Sequence, residues 1–370
     1  MIMKQIRVIH CLGRLDTGGA ETLFMNVVRK IDKTKMQFDV LLFDEKKGFY
    51  DDEARKLGVN FYYTKSMKKA GIFSYIKEMI SFFKSQKIDV VHSHMDWQGG
   101  FIAYAAHRAG VKKIVVHSHA KQLLFEHNII YKYMIRLNQH LIRKYATDFC
   151  ACSQEAGESL FGKRQFQIIT NGIDLRRYIT PNLKMIESLK SEFNIRESDI
   201  ILGNVGSFSE NKNQLFLIEL LEKLLLHNSA YKLILVGEGE TREKLINCAK
   251  QKGISEHVIF SGVRSEVPEF MHLFDVFLFP SKLEGLGIVA VEAQACKCKC
   301  LLSDTVPREV DMGLGTVIYL SLEDKEKWIR EIEKQYKRDD IAIENKKIEM
   351  SIFSINNTIN QLEDIYYNNI

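Results

Sequence analysis

The residues best placed for chemistry lie in Pro280-Ser281-Lys282-Leu283-Glu284-Gly285-Leu286-Gly287-Ile288-Val289-Ala290-Val291-Glu292-Ala293. An apolar strand predicted over 276–280 runs into a glycine-bearing loop and then a helix. Gly285 and Gly287 let the backbone approach a ligand with no Cβ in the way. The free N–H groups at the helix start form an anion site suited to a diphosphate. Glu292, in the first turns of that helix, can accept hydrogen bonds from ribose hydroxyls, and Glu284 in the loop can do the same for a sugar. Either glutamate alone is also an ordinary acidic residue near a helix start, which the dipole favours. The two together, in this loop, carry the signal. His117-Ser118-His119 ends another predicted strand, as His92 and His94 end a third. A strand-end histidine taken alone is commonly structural; His92 and His94 are read as structural or acceptor-side.

These residues need a frame of alternating strands and helices. Strands are predicted over 6–11, 37–43, 88–92 and 113–117, with helices over about 20–31, 51–57 and 100–109. The cadence restarts with strands over 200–205, 232–236, 258–261 and 276–280, and helices over 214–226, 241–252 and about 288–295. Strand, helix, strand at this spacing argues a parallel, doubly wound sheet, twice over. The predicted division is a first domain of 1–178, a hinge of 179–196 and a second domain of 197–349. A C-terminal helix over about 350–370 is able to pack back on the first domain.

Composition narrows the class. With 46% hydrophobic and 27% charged residues the chain reads as an ordinary globular protein. Its seven cysteines are scattered, no secretory signal is visible and no apolar run is long enough to span a bilayer, so a reducing, cytoplasmic setting is expected. Cys296, Cys298 and Cys300 form a C-x-C-x-C run, but no fourth ligand lies at a finger-like spacing. Residues 1–175 hold 27 Lys and Arg against 17 Asp and Glu (net +10), and the remainder 25 against 30 (net −5), together the +5 of the whole. The basic half is expected to meet something anionic. No nucleic-acid-binding motif is present, so a membrane face or a phosphate-bearing acceptor fits better. Ile72, Phe73, Ile76, Met79, Ile80 and Phe83 form an apolar stripe flanked by Lys65, Lys68, Lys69, Lys77, Lys84 and Lys87. A second basic helix is predicted over 124–146. Such stripes commonly face a core, and the alternative is peripheral membrane contact.

The two glutamates eight positions apart in E-G-L-G-I-V-A-V-E-A resemble the E-x7-E signature of the retaining glycosyltransferases of family 4. Val205-Gly206-Ser207-Phe208-Ser209-Glu210-Asn211-Lys212-Asn213 resembles that family's diphosphate loop. Asn171-Gly172-Ile173-Asp174 is similar to the turn ending its first domain. Leu235-Val236-Gly237-Glu238-Gly239 and Phe260-Ser261-Gly262 are similar to two further strand-end loops, and Thr17-Gly18-Gly19-Ala20-Glu21 to the N-terminal glycine loop. The resemblance runs from about 6 to 310 and is nearest to members that build capsular and exopolysaccharides.

It implies the GT-B fold, two Rossmann-like domains facing across a cleft, and transfer of a sugar from a nucleotide diphosphate. UDP is the implied nucleotide by family habit, and a glycan or lipid-linked oligosaccharide the implied acceptor. Lys212 would neutralise the donor diphosphate, Gly19 would offer it a backbone N–H, and Gly285, Leu286 and Gly287 would contact the donor beside Glu284 and Glu292. His119, with His117 in reserve, would hydrogen-bond the donor sugar in the transition state. Retention in this family is assigned to a front-face route needing neither a carboxylate nucleophile nor a metal or cofactor, and no Asp-x-Asp motif ends a strand here. The chain departs from many relatives in having Ser207 in place of Arg, so Arg264 is a candidate to reach in instead. The readings competing with transfer are a catalytically impaired partner subunit and a sugar-nucleotide epimerase.

Overall fold

In the computed structural model, which describes residues 5–119, 129–334, 345–349 and 351–368, two parallel sheets each organise one unit. One unit comprises Met1–Ile173 with Ile352–Ile370, the other Asp174–Ser351.

The first unit is built on β1 (Ile6–Leu12), β2 (Met36–Leu42), β3 (Asn60–Tyr63), β4 (Val90–Ser93), β5 (Lys113–Ser118), β6 (Asp148–Ala151) and β7 (Gln167–Ile168). Their order is β3-β2-β1-β4-β5-β6-β7, so the chain reverses its direction of travel between β1 and β4. Both faces are covered, so β1 and β2 are buried along nearly their whole length. One face packs Val8, Phe24, Val27, Phe38 and Val40; the other packs Ile9, Met79, Phe83, Phe101 and Val116.

The C-terminal helix Ile355–Tyr367 belongs to this unit, and Leu362, Ile365 and Tyr366 enter the first of those cores. Thr358 Oγ1 donates to the carbonyl of Thr170 at 2.8 Å, and Ile173 bridges to Ser354. A Cβ on Gly172 would lie 2.3 Å from Thr358 Oγ1, so only glycine lets the helix come this close.

The second unit is built on β8 (Ile200–Val205), β9 (Tyr231–Val236), β10 (Val258–Gly262), β11 (Val276–Phe279), β12 (Lys299–Ser303) and β13 (Val317–Leu320), ordered β10-β9-β8-β11-β12-β13. Its reversal falls between β8 and β11. Leu217, Leu221, Leu233, Leu278 and Trp328 sit in its core.

The structure locates three segments singled out by sequence. The segment 179–196, expected as a hinge, contains the helix Leu183–Glu192, which belongs to the second unit and buries Ile186 and Leu189. The C-x-C-x-C run is the approach to β12, with Cys296, Cys298 and Cys300 all buried as apolar filling. Of the first basic stripe, Met79 and Phe83 face the core, while Ile72 and Phe73 are exposed. The second basic helix runs over Ile129–Tyr145, and its predicted start at 124–128 lies outside the described residues. Among the described residues no helix is long and apolar enough to cross a membrane.

Candidate functional site

In an open parallel sheet, ligands collect at the carboxyl ends of the two strands flanking the reversal. In the second unit those strands are β8 and β11, and the loops leaving them are the two singled out by sequence. They are tied together: Asn211 Nδ2 donates to the carbonyl of Leu283 at 2.6 Å, Lys282 N to the carbonyl of Asn211 at 2.8 Å, and Asn213 Nδ2 to the carbonyl of Pro280 at 3.2 Å. This brings Lys212 and Glu284, 72 residues apart, into an ion pair of 2.6 Å. The Lys212 ammonium also lies 5.0 Å from the Phe279 ring centroid.

Gly287 caps the helix Ile288–Ala295 at φ 89°, a left-handed conformation, and a Cβ there would come within 3.0 Å of the Phe279 ring. The sequence requires glycine here for the turn that aims the helix start, with Gly285 and the buried Leu286 just before it. The result is a cation, a carboxylate and free helix-start N–H groups within one strand-end loop pair.

Glu292 lies deeper than its sequence position suggested. It is buried, and burial pushes its carboxyl up to about 7, partly offset by a hydrogen bond from Tyr178 and the charge of Arg177. Tyr178, on the short helix Arg176–Ile179, is a partner that sequence reasoning did not find. A group raised from its ordinary 4.5 to about 7 ionises in the unfolded chain first. It therefore costs folding stability progressively as pH rises from 4.5 to 7, by about 3 kcal/mol once both states are ionised. Thermal melts should find Glu292→Gln no more stable than the parent at pH 4.5 and clearly more stable at pH 8. A pH-independent difference would rule out the raised carboxyl.

Arg264 does not stand free beside this loop pair. Its guanidinium is held by Glu192 at 2.7 and 3.0 Å and by Glu266 at 3.2 Å, with the Phe193 and Phe270 rings close by. It ties the helix Leu183–Glu192 into the unit, and its charge is already matched by two carboxylates. Ser207 is exposed, and its carbonyl accepts from Gln214 Nε2 at 3.0 Å.

In the first unit the strands flanking the reversal are β1 and β4. The loop after β1 leads into the helix Gly19–Lys30, whose cap residue Gly18 has no side chain to satisfy the first N–H groups. A Cβ on Gly19 would meet only Asn171 Nδ2, at 3.6 Å. Glu21 folds back over Gly18, and burial, reinforced by the charges of Asp16 and Asp96, pushes it up to about 7. Gly13, Arg14, Asp16, Glu21, Phe43 and Asp44 line a cavity of about 400 Å³.

Beside this loop, five histidines share one face of the sheet. His10 pairs in register with His92, and the period of two places His94, His117 and His119 on the same side. His119 is held twice. Its backbone N–H donates to Asp96 Oδ1 at 2.7 Å, and its Nε2 faces His94 Nδ1 at 2.8 Å. His94 Nε2 in turn faces His10 Nδ1 at 3.0 Å, so three imidazoles form a hydrogen-bonded chain. Asp96 adopts φ 44°, a strained conformation for a residue with a Cβ, in order to reach His119. Burial lowers all five histidines, His10 and His119 to about 3, so they are uncharged at neutral pH. Sequence flagged the pairs His92/His94 and His117/His119 separately; His10, Asp96 and the chain linking them become visible only once β1, β4 and β5 are neighbours.

Similarity to known proteins points the same way. The family described as Glycosyltransferase Family 4 matches residues 17–177, and that described as Glycosyl transferases group 1 matches residues 185–345. EpsF of Bacillus subtilis (strain 168) is 36% identical over 328 residues, covering 87% of this chain and 85% of that protein. The capsular polysaccharide biosynthesis glycosyltransferase CapH of Staphylococcus aureus is 27% identical over 98% of both. The crystal structure of Anabaena HepE in complex with UDP and glucose superposes with a TM-score of 0.80 at 18% identity, over 97% of this chain and 99% of that one. With both family domains in tandem and a two-unit parallel-sheet frame to match, this chain belongs to glycosyltransferase family 4 and has the GT-B fold.

Proposed function

We propose that the chain transfers a hexosyl group from a UDP-sugar to a glycan or lipid-linked oligosaccharide during surface-polysaccharide synthesis, with retention at the anomeric carbon. The observation that carries this reading is the meeting of Lys212 and Glu284 over the helix start at Gly287. A cation next to backbone N–H groups suits a diphosphate, and a carboxylate next to it suits sugar hydroxyls. HepE, with UDP and glucose bound, and CapH, a capsular polysaccharide enzyme, support the choice of donor and pathway.

In the front-face route the bond from the anomeric carbon to the leaving diphosphate breaks as the acceptor oxygen bonds to the same face. The acceptor's hydroxyl proton passes to an oxygen of the departing phosphate. Lys212 takes up the charge that develops there, exchanging part of its contact with Glu284 for the phosphate, and Glu284 turns to the sugar. His119 offers its uncommitted Nδ1 to the donor sugar. No divalent cation is needed on the diphosphate, and turnover should be the same with and without added Mg²⁺ or Mn²⁺; strict dependence on either ion would refute this part of the proposal. The basic first unit, with Phe73, Ile129, Ile130 and Tyr133 exposed, supports peripheral contact with an anionic membrane face from the cytoplasmic side.

A thermal-shift series with UDP, GDP, ADP and their sugar conjugates tests the donor. A ligand at 100 times its Kd stabilises by about 2.7 kcal/mol, so one nucleotide should stand apart from the others. No shift with any of them would favour a catalytically impaired partner subunit. Interconversion of a sugar nucleotide with no acceptor present would favour an epimerase.

A further inference from the structure

We infer that His10, His92 and His94 hold one transition-metal ion of the zinc class inside the first unit. One ring nitrogen from each of the three lies within 4.8 Å of the others. With Zn–N distances of about 2.0–2.1 Å, imidazoles sharing a tetrahedral ion have nitrogens about 3.3 Å apart and ring centroids about 5 Å apart. Here His10 and His92 have centroids 5.1 Å apart, His10 and His94 5.3 Å, and His92 and His94 4.2 Å. His10 Nδ1 and His94 Nε2 already face each other at 3.0 Å. A small rotation of His92 away from His94 completes the set.

The second observation is what the remaining nitrogens do. A metal-bound imidazole is oriented by a hydrogen bond at its other nitrogen. His92 Nδ1 meets the buried Tyr366 hydroxyl at 2.5 Å, and His94 Nδ1 meets His119 at 2.8 Å. Each is thus turned so that its Nε2 points into the cluster. His92 Nε2 is buried with no protein partner, and so are both ring nitrogens of His117, whose centroid lies 5.4 Å from that of His92 and 5.6 Å from that of His94; His10, which faces the cluster through Nδ1, is oriented by packing alone, its Nε2 being likewise unpartnered. Buried polar atoms are rarely left this way, and several on one face call for a shared ligand. An all-imidazole set prefers Zn²⁺, Ni²⁺ or Cu²⁺ to Mg²⁺ or Ca²⁺, which take oxygen ligands. This ion is separate from any cation on a nucleotide diphosphate. Through His94 it would hold the proton on Nδ1, pointing it at His119 Nε2 and leaving the His119 proton on Nδ1.

The test uses the full chain without a polyhistidine tag, produced in medium containing Zn²⁺ so that the buried site fills during folding. Elemental analysis after gel filtration should give about one zinc per chain. Growth with Co²⁺ in its place should give the visible absorption of a four-coordinate, nitrogen-ligated ion. His92→Phe and His10→Phe should each lose the ion, while His140→Ala, which removes an exposed histidine, should keep it. Tyr366→Phe keeps every ligand and should weaken binding about 10- to 100-fold. Circular dichroism on each variant separates loss of the ion from loss of fold. Metal-free protein overturns the proposal, as does zinc that survives His10→Phe and His92→Phe in a folded chain or is lost only with His117 and His119. None of these readouts uses transfer activity, so failure here and failure of the donor reading are distinguishable.

Discussion

Lys212→Ala is expected to lower kcat/KM for the donor by about 10²- to 10³-fold, the usual loss when one preorganised charge-stabilising group is removed. Its ammonium is the charge that the two strand-end loops bring to the start of the helix Ile288–Ala295, and the loops' mutual hydrogen bonds hold it there. The single substitution has a second effect, because it leaves the Glu284 side chain, only 9% exposed, without its partner. Lys212→Ala with Glu284→Gln removes both charges and should restore the melting temperature without restoring turnover. If the double variant recovered activity, Lys212 would be a structural tie and the diphosphate would be neutralised elsewhere. Lys212→Arg should retain partial activity, because it keeps the positive charge but not the shape of the ammonium.

His119→Ala should reduce kcat about 10²-fold or more and change donor KM little if, as proposed, its contact to the sugar is made during transfer. The direction of the hydrogen-bond chain sharpens this expectation. If His94 donates to His119 Nε2, the free atom of His119 is an Nδ1–H donor. The side-chain amide of asparagine places an N–H near the Nδ1 position, whereas that of glutamine reaches the Nε2 position. His119→Asn should therefore retain more activity than His119→Gln; the reverse order would mean that His119 meets the sugar through the other nitrogen. Asp96→Ala, which frees the backbone of His119, should give a milder form of the same kcat defect.

Much of this frame was legible in the chain because parallel strands announce themselves as short apolar runs, and Ile200–Val205 was placed to the residue. Five strands escaped; Asp148–Ala151 and Val317–Leu320 are short apolar runs that were passed over, and in the other three burial is not written in the side chains. Lys299 opens β12 and is buried by its aliphatic stem, its ammonium bonded to the carbonyls of Glu331 and Lys334, so K-C-L-L-S reads as a polar, cysteine-rich loop. Asn60–Tyr63 and Gln167–Ile168 are half-exposed edge strands with little pattern to find. The site divides in the same way. Lys212, Glu284 and Gly287 carry local signatures, a loop of fixed length after each strand. The partnership of Glu292 with Tyr178, and of His10 with His94, joins segments 114 and 84 residues apart, and no local pattern encodes it. The pairing of Arg264 with Glu192 is hidden for the same reason, since Glu192 sits 72 residues before it.

The return of the last helix to the first sheet has a consequence for the order of biosynthesis. Thr358 closes on Thr170 across 188 residues of sequence, and the whole second unit is spelled out between them. As the chain emerges from the ribosome, residues 174–351 carry their entire core and can collapse as soon as they are made. Residues 5–173 cannot: the groove beside Phe24, Phe38 and His10 waits for Leu362, Ile365 and Tyr366. Closure over such a span costs little equilibrium stability, because loop entropy grows only logarithmically, but it delays the contact. The half of the protein made first is thus the half finished last, and for that interval its open apolar groove is the surface a chaperone would have to guard.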